Sequence, residues 1–363
     1  VLDVVLVTDL DVYEGVGIYG RMLYEHLSDR LKMQYYYLDY DNSTVVENPT
    51  VGSSRPPHSC KSNIFKPLFW WRERKNIPPA RLTHIVSENI SFLYKGKRKY
   101  IVTCHNPIPL IHGDFFERLG RRYLYSGFRQ AEKVIILSHF VEGLLVAKYR
   151  FHAQQLKVIP QGYDDRVFFP MDQRGCRQKL NLPLDSFIIL SVAIESYRKN
   201  IAGLVKAFKI ISEKLPNAIL LRVGDKTEEI AGLIASLGLQ EKIIYLPRGL
   251  NQSQLCEVYN ASDLYACPSF YEGYVLTPLE AMACGIEVLV SNITSLEEVY
   301  GDYSIVVDPY NERDIAEKII KAHKKEVGVN RQKVKEFVSQ RSWRHTALQT
   351  YREVYQPILK SQV

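Results

Sequence analysis

Short β-rich apolar runs alternate along the chain with segments whose apolar positions recur at helical spacing, and the whole alternation restarts once. In the first half, Val4–Thr8, Met33–Leu38, Tyr100–Cys104, Lys133–Leu137 and Lys157–Ile159 predict strands, with a helix over 19–31. Near-continuous apolar strands separated by helices predict a parallel sheet with crossover helices, an α/β fold. Residues 162–174 are turn-rich and predict a linker. The pattern then resumes, with strands over 187–193, 218–223, 242–246, 263–266, 287–290 and 303–307 and helices over 200–215, 227–237 and 278–284. Helices over 312–325, 330–340 and 343–359 close the chain. Two Rossmann-like doubly wound domains are expected, over 1–168 and 169–342, followed by a separate helical segment, 343–363.

Length supports this division, since 363 residues exceed what one ordinary core holds. With 46% apolar and 24% charged residues the composition is that of a globular protein. The six cysteines form no C-x-x-C pair and have no histidine at ligand spacing, so reduced thiols are expected, with neither zinc nor disulfides. The given sequence starts directly in a strand pattern and has no apolar run of 18 residues. A cytoplasmic protein that does not span a membrane is expected. Charge adds one asymmetry: the net is +7, but residues 55–150 alone carry 18 Lys or Arg against 6 Asp or Glu. A basic first half suits an anionic partner such as a membrane surface or a phosphorylated substrate, or is simply a solvated basic face. No nucleic-acid module accompanies it, so nucleic acid is not expected.

Gly15-Val-Gly-Ile-Tyr-Gly20 is formally a G-x-G-x-x-G after the first strand, with Asp39 19 residues beyond. Six residues from Asp9 to Glu14 lengthen the strand-to-helix loop, which argues against a dinucleotide fingerprint. A longer loop still presents backbone N–H groups and a helix N-terminus, so Gly15, Val16 and Gly17 are candidates for phosphate or sugar contact, with a purely structural turn as the alternative.

The second half holds a stronger constellation. In Ser269-Phe-Tyr-Glu-Gly-Tyr-Val-Leu-Thr-Pro-Leu-Glu-Ala-Met-Ala-Cys-Gly285, seven residues separate Glu272 from Glu280. Glu272 falls in a glycine-containing loop, while Pro278 and Glu280 fall in the first turn of a predicted helix. N–H groups over Tyr274, Val275, Leu276 and Thr277 can hold a diphosphate, and each carboxylate can accept hydroxyl hydrogens, one set from a sugar and one from a ribose. Alternatively, Glu280 merely complements the helix dipole and Glu272 is a solvated loop residue.

This segment resembles the E-x7-E signature of family 4 of the retaining GT-B glycosyltransferases, which reads near E-G-F-G-L-P-x-L-E-A-M-A-x-G. Further blocks agree in order. Ala131-Glu-Lys-Val-Ile-Ile-Leu-Ser-His-Phe140 is similar to A-D-x-V-I-x-V-S-x-F, and Val158-Ile-Pro-Gln-Gly-Tyr-Asp164 to V-I-x-N-G-V-D. Val192-Ala-Ile-Glu-Ser-Tyr-Arg-Lys-Asn200 is similar to V-G-x-E-x-P-R-K-N, and Ala261-Ser-Asp-Leu-Tyr-Ala-Cys-Pro-Ser269 to A-A-D-x-F-V-x-P-S. The resemblance implies a GT-B fold with a cleft between two domains, a final helix returning to the first domain, and transfer of a hexose from a nucleotide-diphosphate sugar to a glycan, lipid-linked or small-molecule acceptor. It implies that Glu272 holds the donor sugar, Glu280 the ribose, and Arg198 and Lys199 the leaving diphosphate. His105, in Val102-Thr-Cys-His-Asn-Pro-Ile-Pro109, is similar to the histidine of T-V-H-D-x-I-P and is expected to face the donor sugar; a lone strand-end histidine can equally be structural. Glu272, His105 and Lys199 are thus the catalytic candidates. Neither a metal nor a cofactor beyond the donor is expected.

Val275 stands where the pattern has a second glycine, Thr277 a proline, Ala193 a glycine, Asn106 an aspartate and Glu287 a proline. Two basic aromatic stretches, Phe65-Lys-Pro-Leu-Phe-Trp-Trp-Arg-Glu-Arg-Lys75 and Phe115-Phe-Glu-Arg-Leu-Gly-Arg-Arg-Tyr-Leu-Tyr125, suit an anionic bilayer bearing a lipid-linked acceptor, or else pack as a loop and a core helix. The alternatives of other classes are a nucleotide-sugar epimerase, a sugar phosphorylase, or a non-catalytic sugar-binding partner subunit.

Overall fold

A computed structural model describes residues 1–9, 15–38, 44–46, 66–96, 99–105, 107 and 125–361. Backbone proximity divides the chain into two units, residues 1–161 with 343–363, and residues 162–342. Asp39, Cys60, Asn106 and residues 115–124 of the second aromatic stretch lie outside the described residues.

The first unit is built on a seven-stranded sheet: β1 (Leu2–Thr8), β2 (Met33–Tyr37), β3 (Thr44–Val46), β4 (Ala80–Ile85), β5 (Tyr100–Cys104), β6 (Lys133–Ile136) and β7 (Leu156–Val158). Their order is β3-β2-β1-β4-β5-β6-β7, all neighbours parallel except β3 on β2. Val4, Val5, Leu6 and Val7 are all buried, as a parallel strand covered on both faces requires. Strand β4 was not predicted although it lies at the centre of the sheet. Its apolar run is broken by Arg81, Thr83 and His84, and each break has a partner in the fold. Arg81 donates to Asp3 Oδ1 (3.2 Å) and to the Leu359 carbonyl (2.7 Å), and His84 is fully buried between Tyr355 and Thr103.

Helix α1 (Gly15–Leu27) corrects the glycine loop: Gly15, Val16 and Gly17 are its first turn. The Gly17 carbonyl accepts from Tyr35 Oη (3.3 Å), and a Cβ on Gly20 would press on Tyr35 (2.9 Å) and Val86 (3.2 Å), so Gly20 serves close packing. Helix α2 (Lys66–Glu73) buries Trp70 but exposes Leu68 and Trp71, and α3 (His139–Tyr149) is capped by Ser138.

Residues 162–174, expected to be a linker, belong to the second unit. The Tyr163 N–H donates to the Arg341 carbonyl (2.9 Å), Phe168 is buried against Tyr259, and α4 (Gln173–Lys179) starts inside the segment on an Asp172 cap. The units therefore divide at 161/162 rather than 168/169. The second sheet holds β8 (Phe187–Val192), β9 (Ala218–Val223), β10 (Ile243–Leu246), β11 (Leu264–Cys267), β12 (Glu287–Ser291) and β13 (Ile305–Val307), in the order β10-β9-β8-β11-β12-β13, all parallel. Alternation along β8 sends Ile188 and Leu190 to one apolar cluster and Phe187 and Ile189 to the other, one on each face. Around it lie α5 (Ile201–Lys214), α6 (Glu228–Ser236), α7 (Gln252–Ala261), α8 (Thr277–Ala283), α9 (Thr294–Tyr300), α10 (Glu312–His323) and α11 (Arg331–Ser339). Strand order reverses between β8 and β11, and in such sheets the carboxyl ends of the two strands at the reversal open a crevice.

The closing helix is interrupted. Helix α12 (Trp343–Thr350) runs into a π-helical turn, Tyr351–Tyr355, before α13 (Gln356–Lys360). Pro357 has no N–H to donate, and the Gln356 N–H reaches back to the Tyr351 carbonyl. This segment packs on the first unit: Trp343 meets Tyr19 edge-on (5.8 Å), Thr346 donates to the Pro160 carbonyl (2.9 Å), and Lys157 pairs with Glu353.

Candidate functional site

The loop after β8 is fixed before it delivers any functional side chain. Arg222, fully buried at the carboxyl end of β9, donates to the Ser191 carbonyl (3.0 Å), Ser191 Oγ (2.9 Å) and the Ala193 carbonyl (3.0 Å). Burial pulls its pKa down, with the nearby Tyr245 and Glu195 opposing. Gly224, at φ +150°, leaves no room for a Cβ beside the Ala193 carbonyl. Glu195 then accepts from Tyr245 Oη (2.9 Å) and the Thr227 N–H (2.5 Å). Asn200 takes the left-handed conformation (φ 54°), which asparagine tolerates, and donates to the carbonyls of Pro268 (3.0 Å) and Pro309 (2.7 Å). A short turn between these anchors, Tyr197–Lys199, carries Arg198 and Lys199.

The neighbouring loop, after β11, is held as firmly. Ser291 Oγ donates to the Ser269 carbonyl (2.6 Å), Ser295 Oγ to the Glu272 carbonyl (2.9 Å), and the Phe270 N–H to the Arg198 carbonyl (2.8 Å). Glu272, only 3% exposed, lies against both cations: Arg198 Nη1 is 2.7 Å from Oε2 and Lys199 Nζ is 2.6 Å from Oε1. One carboxylate thus holds two cations in place and leaves a net positive charge at the sheet reversal. Arg198 Nη1 donates a hydrogen bond to Oε2, whereas the buried Oε1 has the Lys199 ion pair but no hydrogen-bond partner, so the desolvation of this carboxylate is repaid only in part. Chemically, the arrangement can receive an anion beside a hydroxyl-bearing group.

Glu280 sits one helix away. It is buried on α8 and accepts from Tyr259 Oη of α7 (2.8 Å); burial lifts its pKa to about 7, which the Tyr259 hydrogen bond partly opposes. The thiols of Cys256 and Cys284 lie 3.9 Å apart between the same two helices. The N-cap residue of α8 is Leu276, which supplies no side-chain acceptor. Tyr274, Val275 and Leu276 pack against the apolar cluster, Tyr300 Oη donates to the Val275 carbonyl (2.6 Å), and Tyr265 Oη donates to Thr277 Oγ1 (2.6 Å). The branched side chain of Val275 is therefore absorbed by the core. Glu287, where the pattern has proline, opens onto a cavity of about 950 Å³ at the amino-terminal edge of the sheet, which includes none of the predicted site residues.

In the first unit the ring of His105 is committed at both nitrogens. Nε2–H donates to the Val86 carbonyl (2.9 Å), Gln161 Nε2 donates to Nδ1 (2.8 Å), and Tyr19 of α1 meets the ring edge-on (5.0 Å). Burial lowers its pKa to about 4, so the ring is neutral at pH 7. Behind it runs a polar chain that sequence reasoning missed: Tyr355 Oη to His84 Nδ1 (2.6 Å), His84 Nε2 to Thr103 Oγ1 (2.7 Å), and Thr103 to Tyr19 (3.3 Å). His84 is also neutral, its pKa lowered to about 3 by burial, and Tyr19 is pushed up to about 12.

The structure thus brings Arg198, Lys199 and Glu272 into direct contact and gives Glu280 a separate partner in Tyr259. His105, Gly15, Val16 and Gly17 belong to the first unit, where Tyr19 links the glycine helix to His105. Sequence reasoning missed Arg222 and Tyr259 as well. Arg222 had a visible signal, an arginine inside the strand Ala-Ile-Leu-Leu-Arg-Val, whereas nothing marks Tyr259. Among the described residues no group of three or more His, Cys, Asp or Glu is arranged to hold a metal ion.

Residues 172–340 match the family model described as Glycosyl transferases group 1, and residues 13–167 match Glycosyltransferase Family 4. The serotype-specific mannosyltransferase WbdA of Escherichia coli is 30% identical over 239 residues, 62% of this chain but 29% of that protein. The chain thus spans under a third of that relative's length. The O-antigen chain mannosyltransferase B of Escherichia coli is 25% identical over 320 residues, 81% of this chain and 83% of that protein. In fold, sucrose-phosphate synthase from Thermosynechococcus elongatus superposes with a TM-score of 0.80 at 21% identity, covering 99% of this chain and 100% of that one.

Proposed function

Because the chain belongs to glycosyltransferase family 4, we propose that it is a retaining hexosyltransferase whose second unit binds a nucleotide-diphosphate sugar through Arg198, Lys199, Glu272 and Glu280. The observation that carries this reading is the buried contact of Glu272 with both cations at the reversal of the second sheet. In the transfer, the bond from the anomeric carbon to the diphosphate oxygen breaks, and negative charge builds on that oxygen. Arg198 and Lys199 stabilise this charge, Arg through two oxygens and Lys as a compact point charge. The acceptor hydroxyl forms its bond to the same face of the anomeric carbon, and its proton passes to the departing diphosphate. Glu272 accepts hydroxyl hydrogens of the sugar and is not a nucleophile; Glu280 accepts those of the ribose. No divalent metal is needed where two cations already face the leaving group.

The likeness to two mannosyltransferases favours mannose over glucose as the transferred sugar, with a glycan, lipid-linked or small-molecule acceptor. The first unit, with His105 and the turn Gly15, Val16 and Gly17, is assigned to the acceptor side. A neutral, fully bonded His105 serves there as an oriented, uncharged wall and not as a proton carrier. No helix among the described residues is long and apolar enough to cross a membrane. Leu68 and Trp71, exposed beside Arg72, Arg74 and Lys75, support peripheral contact with an anionic membrane surface. Flotation with anionic vesicles tests it, and a Leu68→Ser/Trp71→Ser variant that floats as well as the parent rejects it.

The primary test is a thermal-shift panel of nucleoside diphosphates and nucleotide sugars without metal, repeated on Glu280→Ala. Stabilisation by one nucleotide series, weakened by the substitution, is expected. No shift with any nucleotide rejects the donor-site reading. Retention is tested by the anomeric configuration of the product in proton NMR.

A further inference from the structure

The loop that carries Arg198 and Lys199 has a second face. Those two side chains turn to Glu272, whereas Tyr197 turns the other way, onto Phe270 (ring centroids 5.2 Å, 35° between planes). Phe270 in turn stacks on Tyr310 (4.8 Å, 20°), making a row of three rings. Both outer rings are open to solvent, Tyr197 at 85% exposure and Tyr310 at 66%. They line a cavity of about 370 Å³ that also includes Glu195, Lys206, Glu229 and Glu312. Tyr197 stands where the family pattern V-G-x-E-x-P-R-K-N has proline.

The lining states what kind of ligand fits. Three carboxylates against one lysine disfavour a phosphate or a nucleotide. Lys206 pairs with Glu312 (3.7 Å), and Glu195 is committed to Tyr245 and Thr227, so Glu229 is the carboxylate left facing a ligand. A cation held by aromatic rings needs faces that converge around it. Here Phe270 and Tyr310 are nearly parallel and Tyr197 is tilted by 35°, so the three make a row and not a cage, and the two outer rings expose a face to solvent. Such a face is negative at its centre and suits the C–H face of a pyranose ring, while carboxylates accept hydrogen bonds from its hydroxyls. The volume lies at the lower end of small-ligand pockets, enough for one or two sugar residues.

We propose that this cavity is a second glycan-binding subsite, taking one or two neutral hexose residues of a saccharide chain on the Tyr197–Phe270–Tyr310 row, apart from the nucleotide-binding face of the same loop. Binding at it requires neither donor nor transfer, so it is measured independently of the reaction proposed above. The experiment is saturation-transfer NMR on the full chain with α-mannotriose, maltotriose and choline, repeated on Tyr197→Ala/Tyr310→Ala. Both substitutions are at exposed positions, and retention of the parent's nucleoside-diphosphate thermal shift controls for folding. At least one trisaccharide is expected to bind, with affinity falling about tenfold in the double variant. The proposal is overturned if neither trisaccharide binds, if binding survives the double substitution, or if choline saturates and the sugars do not.

Discussion

The two units share one strand order around their reversal, yet what each places beside it differs in kind. The second unit gathers formal charge there, with Arg198 and Lys199 against Glu272 and Arg222 beneath the loop. The first unit gathers neutral polar groups, with His84 and His105 uncharged and linked through Thr103 and Tyr19, and with Tyr355 on the other nitrogen of His84. The same backbone plan therefore carries charged groups beside one reversal and neutral polar groups beside the other. Chemistry on this fold lives in the loops, and the sheet supplies only the place.

The sharpest break in the comparison is Lys199→Ala. On the proposed function it deletes a charge that stabilises the leaving diphosphate, so kcat is expected to fall about 100- to 1,000-fold. Steady-state kinetics checks this, and a change confined to KM would remove Lys199 from the reaction. His105→Asn, which removes a neutral ring, is expected to cost far less in kcat.

Next in size is Arg222→Met. The carbonyls of Ser191 and Ala193 lose their buried donor, and denaturant titration is expected to show a loss of about 3 kcal/mol. An unchanged midpoint would mean that the loop after β8 does not depend on Arg222.

The two units also predict opposite pH slopes. A histidine whose folded pKa lies below its unfolded value contributes stability above the unfolded pKa and loses it as pH falls. For His84 the loss runs from about 6.5 down toward 3. A carboxyl whose folded pKa is raised does the reverse: Glu280 lowers stability as pH rises from 4.5 to about 7. Each slope approaches about 1.4 kcal/mol per pH unit inside its window. Thermal melts of the free protein between pH 4.5 and 6.5 are expected to gain acid tolerance in His84→Asn and to lose the alkaline penalty in Glu280→Gln. Parallel curves for the parent and both variants would contradict these assignments.

Much of this was readable from sequence wherever one local pattern decided the outcome. The apolar runs over 4–8, 100–104 and 218–223 are strands because parallel strands are covered on both faces. The family resemblance put Glu272, Arg198 and Lys199 in one donor site but did not imply that the carboxylate pairs with the two cations, since spacing says nothing about contacts between loops 74 residues apart. Strand β4 and helices α7 and α9 were missed for a different reason: their polar residues are satisfied by distant segments. His84 finds Tyr355 near the other end of the chain, and Tyr259 finds Glu280 on the next helix. The boundary moved to 161/162 because Tyr163 and Phe168 pack with residues far along the sequence.

The smallest expected effect discriminates best, because one substitution is made in both units. Tyr355→Phe leaves His84 Nδ1 without its partner, and Tyr259→Phe removes the donor to Glu280. Each is expected to lower stability by about 1 kcal/mol. Their functional consequences part, however. The Tyr259 hydrogen bond favours the charged form of Glu280, so its loss pushes that pKa higher still. If the ribose is held by the carboxylate, the pH midpoint of nucleotide affinity moves upward in Tyr259→Phe and stays in place in Tyr355→Phe, as titration calorimetry across pH 5 to 9 would read. A shift in both variants would mean that the polar chain of the first unit reaches the nucleotide site; a shift in neither would mean that Glu280 does not hold the nucleotide.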